Sequence, residues 1–282
     1  EVKNVISGGQ ENMSLSPHSI FFRDQKEILR ENLVDTMIQD GLLDAFNNYH
    51  MGMTAENVAN KFGISRKEQD NYALHSQKKT RDAINQNKFD EEIIPVNHNG
   101  LYFEKDEHPR LDLKISDLEK LKTVFKENGS VTAGNSSGIN DGAAALILTT
   151  LQEAKIRSIQ PLAKISSWAS VGVDPSVMGL GPIEAIKQAV KKARWKLEEI
   201  DLFEINEAFA AQSIAVINEL KIDQSKVNVN GGAIALGHPI GASGARILVT
   251  LVHEMKRKNK KKGCASLCIG GGMGIALCVE RN

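Results

Sequence analysis

The chain has 282 residues, of which 35 are basic and 35 acidic, so its formal net charge is zero. A hydrophobic content of 41% with 25% charged residues is ordinary for a globular protein and excludes wholesale disorder. The balanced charge argues against a protein that coats nucleic acid or an anionic membrane. The three cysteines are too few for a disulfide framework and indicate reduced, intracellular thiols. The longest uncharged stretches, 227–245 and 263–279, are interrupted by glycine or proline and do not predict a transmembrane helix.

The first half of the chain is polar and predicts few regular elements. We predict a strand over 2–6 and helices over 54–62 and 65–87. Gly8 and Gly9 indicate a turn after the strand, because glycine tolerates positive φ. Thr54 is the expected cap of the first helix, and Ser65 with Glu68 forms a capping box at the start of the second. Residues 10–140 as a whole are typical of a polar segment that lies outside the main core.

The second half alternates strand and helix patterns. Strands are predicted over 143–148, 161–171, 200–205, 265–269 and 275–279, and helices over 182–193, 207–220 and 244–256. This alternation, closed by two strands joined through a glycine turn, predicts a mixed sheet flanked by helices.

Three segments of this half carry reactive groups at strand or loop ends. Asn206 follows a strand, at an edge where open α/β sheets bind ligands, although it also fits a simple helix cap. His238 lies in a loop of small residues, and Cys268 stands immediately before a glycine turn. Cys264 and Cys278 fit buried small hydrophobes. A thiol, an imidazole and an amide together suggest acyl chemistry, while zinc would need more ligands than these.

The same segments resemble a known family. Residues 206–210, 231–244 and 267–274 resemble the three C-terminal signature motifs of the thiolases in order and spacing, and 8–14 and 50–56 resemble upstream segments. The resemblance spans the whole chain. Among thiolases the chain is most similar to the cytosolic acetyl-CoA C-acetyltransferases.

The resemblance implies an α/β thiolase fold, with two similar α/β halves in helix and sheet layers, an inserted loop domain and an incomplete N-terminal half. The implied parts are 1–12, a remnant of the N-terminal half; 13–139, a CoA-binding loop domain; 140–160, a return strand; and 161–282, the C-terminal half. It also implies a cytoplasmic homo-oligomer, either dimer or tetramer. An N-terminal half without all its strands would expose a hydrophobic sheet edge, an aggregation hazard.

In such enzymes two acetyl-CoA molecules give acetoacetyl-CoA and CoA, reversibly. The resemblance implies that Cys268 is the acid/base thiol, that His238 activates the nucleophile and helps bind the thioester oxygen, that Asn206 positions a water, and that Gly270 lends its amide to a second oxyanion site. Coenzyme A or acetyl-CoA is the implied substrate, with no permanently bound cofactor, no metal, no nucleic acid and no membrane partner. The implied coenzyme contacts are Ser137 near the pantetheine, Arg110 near the nucleotide, and a pantetheine tunnel lined by Leu42, His50, Met51, Phe125, Ala133, Ala208 and Phe209.

One expected group is missing from the sequence. The nucleophilic cysteine of thiolases lies upstream of the motif that begins at Gly8, and residues 1–263 contain no cysteine. We therefore expect an N-terminally truncated chain that is inactive alone. The alternatives are a degradative 3-ketoacyl-CoA thiolase and a non-catalytic acyl-CoA-binding relative. A third alternative, a thioesterase with Cys268 as nucleophile, is disfavoured because no acid or amide in the motif orients His238.

Overall fold

The computed structural model describes residues 2–23, 27 and 29–281. The strands of this part of the chain are β1 (Asn4–Glu11), β2 (His18–Ser19), β3 (Val34–Asp35), β4 (Leu43–Asp44), β5 (Tyr49–His50), β6 (Val96–His98), β7 (Leu101–Phe103), β8 (Gly142–Thr149), β9 (Lys164–Gly172), β10 (Leu202–Ile205), β11 (Lys262–Ile269) and β12 (Met273–Glu280). The α-helices are α1 (Gly52–Phe62), α2 (Arg66–Asn85), α3 (Ile115–Glu119), α4 (Leu151–Ile156), α5 (Gly181–Ala193), α6 (Ala210–Leu220), α7 (Ala233–Leu236) and α8 (Ile240–Arg257). Short 3₁₀ segments lie at Arg30–Asn32, Pro175–Leu180, Leu197–Glu199 and Gln224–Lys226, and Met37–Leu42 is a π-helical turn.

The second half of the chain builds a four-stranded mixed sheet in the order β10-β11-β12-β9. β10 and β11 run parallel, and the other two pairs are antiparallel. Helix α5 packs on β9, β11 and β12, and α8 packs on β10 and β11. Two separate apolar clusters fill these two contacts, one containing Ile186 of α5 and the other Ile247 of α8. The predicted mixed sheet flanked by helices is confirmed.

A second, two-stranded sheet pairs β1 with β8 in antiparallel register and also packs on α8. The predicted turn at Gly8 and Gly9 is wrong, because β1 continues through both residues. A Cβ atom at Gly9 would lie 1.8 Å from the carbonyl oxygen of Gly241, at the start of α8. The glycine therefore serves close backbone packing between strand and helix, not a reversal of the chain.

The outer face of this small sheet carries exposed apolar side chains. Ile6 and Ile147 are cross-strand partners, and they are 80% and 75% exposed. By contrast, Ile247 on the helix beneath the sheet is fully buried.

Helices α1 and α2 connect the polar first half to the second half. The predicted capping box of Ser65 and Glu68 at the start of α2 is confirmed. The predicted cap of α1 is wrong, because α1 begins at Gly52, and the Thr54 hydroxyl donates to the carbonyl of Met51 at 2.6 Å. α2 packs against α6 and α7, so it reaches the helices that follow the strand ends of the four-stranded sheet.

Candidate active site

Two chemistry-bearing residues leave the four-stranded sheet at one edge. The backbone amide of Asn206 donates to the carbonyl of Ser266 on the parallel strand β11, at 3.0 Å. Because parallel strands end at the same edge, Asn206 and Cys268 both emerge there, where α/β sheets bind ligands. The alternative that Asn206 caps the next helix is wrong, because α6 begins at Ala210 with Phe209 in the N-cap position.

His238 lies just before α8 and touches Asn206 directly. Nδ2 of Asn206 is 3.2 Å from Nε2 of His238, and Oγ of Ser243 is 2.6 Å from Nδ1 on the other side of the ring. The backbone amide of His238 donates to Oδ1 of Asn140 at 3.0 Å. No acid or amide of the motif 231–244 orients this histidine, as expected from the sequence, but Asn206 supplies an amide from a different strand end.

The loop before His238 needs glycine. Gly237 has φ of +99°, in the left-handed region that favours glycine. A Cβ atom there would also lie 2.6 Å from Cγ of Asn140. The missing side chain lets Asn140 approach closely enough to hold the backbone of the next residue.

The environment of His238 keeps its ring neutral. Burial first, and then the positive charge of Arg246, together lower the pKa of His238 to about 4. A neutral imidazole has one nitrogen that donates and one that accepts a hydrogen bond. At neutral pH His238 is therefore able to accept a proton.

The Cys268 thiol faces an apolar cluster. The buried members around it are Ala55, Val131, Met178, Ala208 and Phe209. Cys268 is 9% exposed, and burial raises its pKa to about 12. A thiol of this kind stays protonated at neutral pH, which suits a proton donor and disfavours the thioesterase alternative. Gly270 follows in the turn after β11, where a Cβ atom would lie 2.3 Å from Cε of Met51.

Several of the predicted pantetheine contacts gather beside this cluster. The rings of His50 and Phe125 stack with centroids 4.5 Å apart, and Phe125 meets Phe209 edge-on at 6.2 Å. Met51 and Phe125 pack against the Cys268 cluster, to which Ala208 and Phe209 belong. The structure therefore joins five predicted coenzyme contacts, His50, Met51, Phe125, Ala208 and Phe209, to the thiol.

Two further predicted contacts are attached to this group through the backbone. The amide of Ser137 donates to the carbonyl of Ala208 at 3.0 Å. The carbonyl of Leu42 accepts from the amide of Met51 at 2.8 Å. Both residues are half-buried at the margin of the site.

The last two predicted contacts lie at the surface. Ala133 and Arg110 are exposed, so the structure does not draw either into the buried cluster. The backbone amide of Arg110 donates to Oε1 of Gln77 on α2 at 2.8 Å, which fixes the position of its segment.

Glu207, the residue after Asn206, has a structural role that was not predicted from the sequence. Its carboxylate is 1% exposed. It accepts hydrogen bonds from the Tyr72 hydroxyl at 3.2 Å, the Ser76 hydroxyl at 2.7 Å, Nδ2 of Asn228 at 2.9 Å and the amide of Ile234 at 3.2 Å. Glu207 thus ties α2, the sheet edge and the loop before His238 together. The signal available in the sequence was an acidic residue directly after a buried strand.

Ser243 and Asn140 were also missed, since hydrogen-bond partners of a loop histidine have no fixed spacing in a sequence. No three His, Cys, Asp or Glu side chains among residues 2–23, 27 and 29–281 are grouped as metal ligands are. In that same part of the chain, every helix is too short or too polar to cross a lipid bilayer.

Comparison with known proteins identifies the family. The thiolase N-terminal domain matches residues 1–152, and the thiolase C-terminal domain matches residues 159–281. The chain therefore belongs to the thiolase family. The resemblance seen in the motifs and the predicted thiolase fold are both confirmed. The division of the chain at 12/13, 139/140 and 160/161 stays a prediction.

The similar proteins narrow the class further. The chain is 55% identical to the acetyl-CoA acetyltransferase of Cupriavidus necator over 284 aligned positions, which cover 99% of this chain and 72% of that protein. It is 53% identical to the cytosolic acetyl-CoA acetyltransferase of Rattus norvegicus, with the same two coverages. The fold is similar to the crystal structure of human mitochondrial 3-ketoacyl-CoA thiolase in complex with CoA, with a TM-score of 0.95. The two sequences are 44% identical, and the match covers 99% of this chain and 71% of that one. These likenesses support a thiolase acyltransferase of the acetyl-CoA acetyltransferase type.

Proposed function

We propose that the chain carries the proton-transfer half of an acetyl-CoA C-acetyltransferase site, which joins two acetyl-CoA molecules to acetoacetyl-CoA and CoA, reversibly. The observation that carries the proposal is the contact between Asn206 and His238 at the sheet edge where Cys268 also emerges. Similarity to acetyl-CoA acetyltransferases over 99% of the chain supports it.

Cys268 is the proposed acid and base. In the cleavage direction its S–H bond breaks, and the proton goes to the α-carbon of the acetyl-CoA carbanion released from acetoacetyl-CoA. In the condensation direction the thiolate takes a proton from the methyl group of acetyl-CoA. Because burial raises the pKa of Cys268 to about 12, the protonated form dominates at neutral pH, which favours the donor role at rest.

His238, Asn206 and Gly270 are proposed to handle the charge on the thioester oxygens. Nε2 of His238 takes the proton of the thiol that accepts the acyl group, and the N–H formed in this way donates to the thioester oxygen. Oδ1 of Asn206 is buried with no protein hydrogen-bond partner in the described chain, so its role is to hold a water donor beside that oxygen. The amide of Gly270 serves the second oxyanion.

The coenzyme is proposed to lie along the aromatic wall. The ring of Phe125 contacts those of His50 and Phe209, and Phe125 and Phe209 pack in the cluster of Cys268, an aromatic wall that suits the pantetheine arm. Ser137 lies at its margin. Arg110, which is exposed, is proposed to meet the phosphates of the nucleotide.

Condensation also needs a thiol that carries the acetyl group, and we propose that none of the three cysteines of this chain does so. Cys268 is committed to proton transfer. Cys264 and Cys278 are fully buried cross-strand partners inside the sheet, and the pKa of Cys264 is raised well above its ordinary value by its hydrogen bond with Cys278 and by burial. The chain alone is therefore proposed to exchange α-protons without completing the condensation.

The test is exchange of the methyl protons of acetyl-CoA in D₂O, followed by ¹H NMR. We expect exchange above the buffer rate that rises about tenfold per pH unit, because thiolate accumulates in this ratio below the thiol pKa. Cys268→Ser removes the exchange, and the matched variant Cys264→Ser keeps it. No acetoacetyl-CoA forms.

Two outcomes contradict the proposal in different ways. Normal CoA-dependent cleavage of acetoacetyl-CoA by the chain alone would show that it already holds its nucleophile. CoA binding with no exchange at any pH would favour the non-catalytic acyl-CoA-binding alternative.

The degradative alternative keeps a specific observation in its favour, the 44% identity to a 3-ketoacyl-CoA thiolase solved with CoA. Exchange rates measured with acetyl-CoA and with a medium-chain acyl-CoA separate the two substrate classes. Cytosolic location is proposed from the rat relative named for it. A dimer or tetramer is proposed from the family resemblance, and sedimentation velocity checks it.

A further inference from the structure

We propose that Ser243 is a positioning residue that keeps the single ring proton of resting His238 on Nδ1. This leaves the lone pair of Nε2 directed at the sheet edge. The mechanistic meaning of this arrangement rests on the proposed function, but the arrangement itself does not.

Nε2 of His238 faces the side-chain amide of Asn206. An amide NH₂ group only donates hydrogen bonds, and Nδ2 of Asn206 lies 3.2 Å from Nε2 of His238. Nε2 therefore accepts. Because the buried ring is neutral at neutral pH, its one proton sits on the other nitrogen, Nδ1.

Nδ1 of His238 faces the hydroxyl of Ser243. Nδ1 is 2.6 Å from Oγ of Ser243, so Nδ1–H donates to that oxygen. The serine hydroxyl proton then needs its own acceptor, and the carbonyl of Pro239 lies 2.9 Å from Oγ. A continuous series of hydrogen bonds thus runs from Asn206 through His238 and Ser243 to Pro239, and each donor in it meets an acceptor.

Ser243 is held in place by the start of α8. Ser243 is 1% exposed and lies in the first turn of α8, whose backbone also binds Pro239: the amides of Ala242 and Ser243 each donate to the Pro239 carbonyl at 2.9 Å. The serine is thus fixed by a helix, and not by a mobile loop. In the alternative arrangement the Ser243 hydroxyl would donate to Nδ1, and the ring proton would lie on Nε2. The Asn206 amide would then be turned over, so that its oxygen accepts from Nε2.

A fixed Nδ1–H tautomer matters because a base must present a lone pair, not a proton, to the group it deprotonates. With Ser243 in place, His238 does not need to change tautomer before accepting a proton at Nε2. The imidazolium that results keeps its Nδ1–H bond to Ser243. No carboxylate is required for this orientation.

The test is long-range ¹H–¹⁵N NMR of the ¹⁵N-labelled chain at neutral pH, which distinguishes the two neutral tautomers of a histidine. The His238 signals, assigned by their loss in His238→Gln, are expected to be those of Nδ1–H. Ser243→Ala is expected to convert at least a tenth of the population to Nε2–H, and Ser243→Thr, which restores a hydroxyl, is expected to reverse the change. Ser225→Ala, at an exposed serine, is the matched control and leaves the tautomer unchanged.

The wild-type spectrum alone is decisive if a variant does not fold. Nε2–H in the wild-type chain overturns the inference, and so does an unchanged Nδ1–H tautomer in a folded Ser243→Ala. Neither result depends on α-proton exchange. A chain that shows the Nδ1–H tautomer but exchanges no α-protons would contradict the proposed function and leave this inference standing.

Discussion

Apolar residues are buried on both faces of one sheet of this protein and are exposed on one face of the other. The four-stranded sheet is covered by α5 on one face and α8 on the other, and every residue of β10 is buried. The two-stranded sheet of β1 and β8 packs on α8 with one face and exposes Ile6 and Ile147 on its other face. The candidate site lies where the covered sheet ends. Buried surroundings shift the pKa values of a thiol and an imidazole there, and an open sheet face offers no such environment.

The largest test of this difference compares two isoleucines. Ile247→Ala in α8 is expected to lower the free energy of unfolding by about 2–5 kcal/mol, because it leaves a cavity between two packed layers. Ile147→Ala on the open face is the matched control, with an expected change within about 0.5 kcal/mol. Urea unfolding followed by circular dichroism measures both. Equal losses would mean that the open face is covered in solution.

The next test concerns the polar anchor of the covered sheet. Glu207→Ala is expected to cost about 3 kcal/mol of unfolding free energy, because it leaves the buried Tyr72, Ser76 and Asn228 groups without their acceptor. Glu219→Ala, at an exposed residue of the same helix region, is the control and is expected to stay close to wild type. If the two glutamates behave alike, Glu207 does not hold the site together.

The last test uses pH. The pKa of His238 falls from 6.5 to about 4 on folding, so between these values the unfolded chain binds more protons than the folded one. His238 therefore lowers stability as the pH falls from about 6.5 to 4, by about 3 kcal/mol in total.

The measurement is the difference in unfolding free energy between wild type and His238→Gln at several pH values. Subtraction is needed because Glu92 and Glu204, whose pKa values burial raises to about 7 and about 8, act in the opposite sense and lower stability as the pH rises. The difference should shift in favour of the variant as the medium becomes acidic. A difference that does not vary with pH would show that His238 is not buried as described.

Much of the covered sheet was predictable because its elements carry local signals. The capping box at Ser65, the apolar stripe of α5 and the glycine turn between the last two strands are all patterns of near neighbours in the chain. One error came from a contact between residues far apart in the chain, and another came from the position of a helix start. Gly9 was expected in a turn, but it lies in β1 and packs closely against Gly241. Thr54 was expected as a cap, but α1 begins at Gly52 with Met51 in the N-cap position.

The residues of the candidate site also fall into two groups, those that the sequence identifies and those that only the fold identifies. Asn206, His238 and Cys268 stand out in the sequence because each interrupts an apolar or small-residue segment at a strand or loop end. Their hydrogen-bond partners do not, since Ser243, Asn140 and Glu207 are ordinary polar residues until the fold brings them to the ring or the sheet edge.

The sequence by itself determined the family, the order of most strands and helices, and the residue types available for acyl chemistry, because motif spacing and periodicity are properties of the chain. Only the tertiary structure decided which nitrogen of His238 faces Asn206, how far burial moves its pKa and that of Cys268, and which sheet face stays open. These depend on desolvation and on contacts between residues far apart in the chain, and no local pattern of amino acids encodes them.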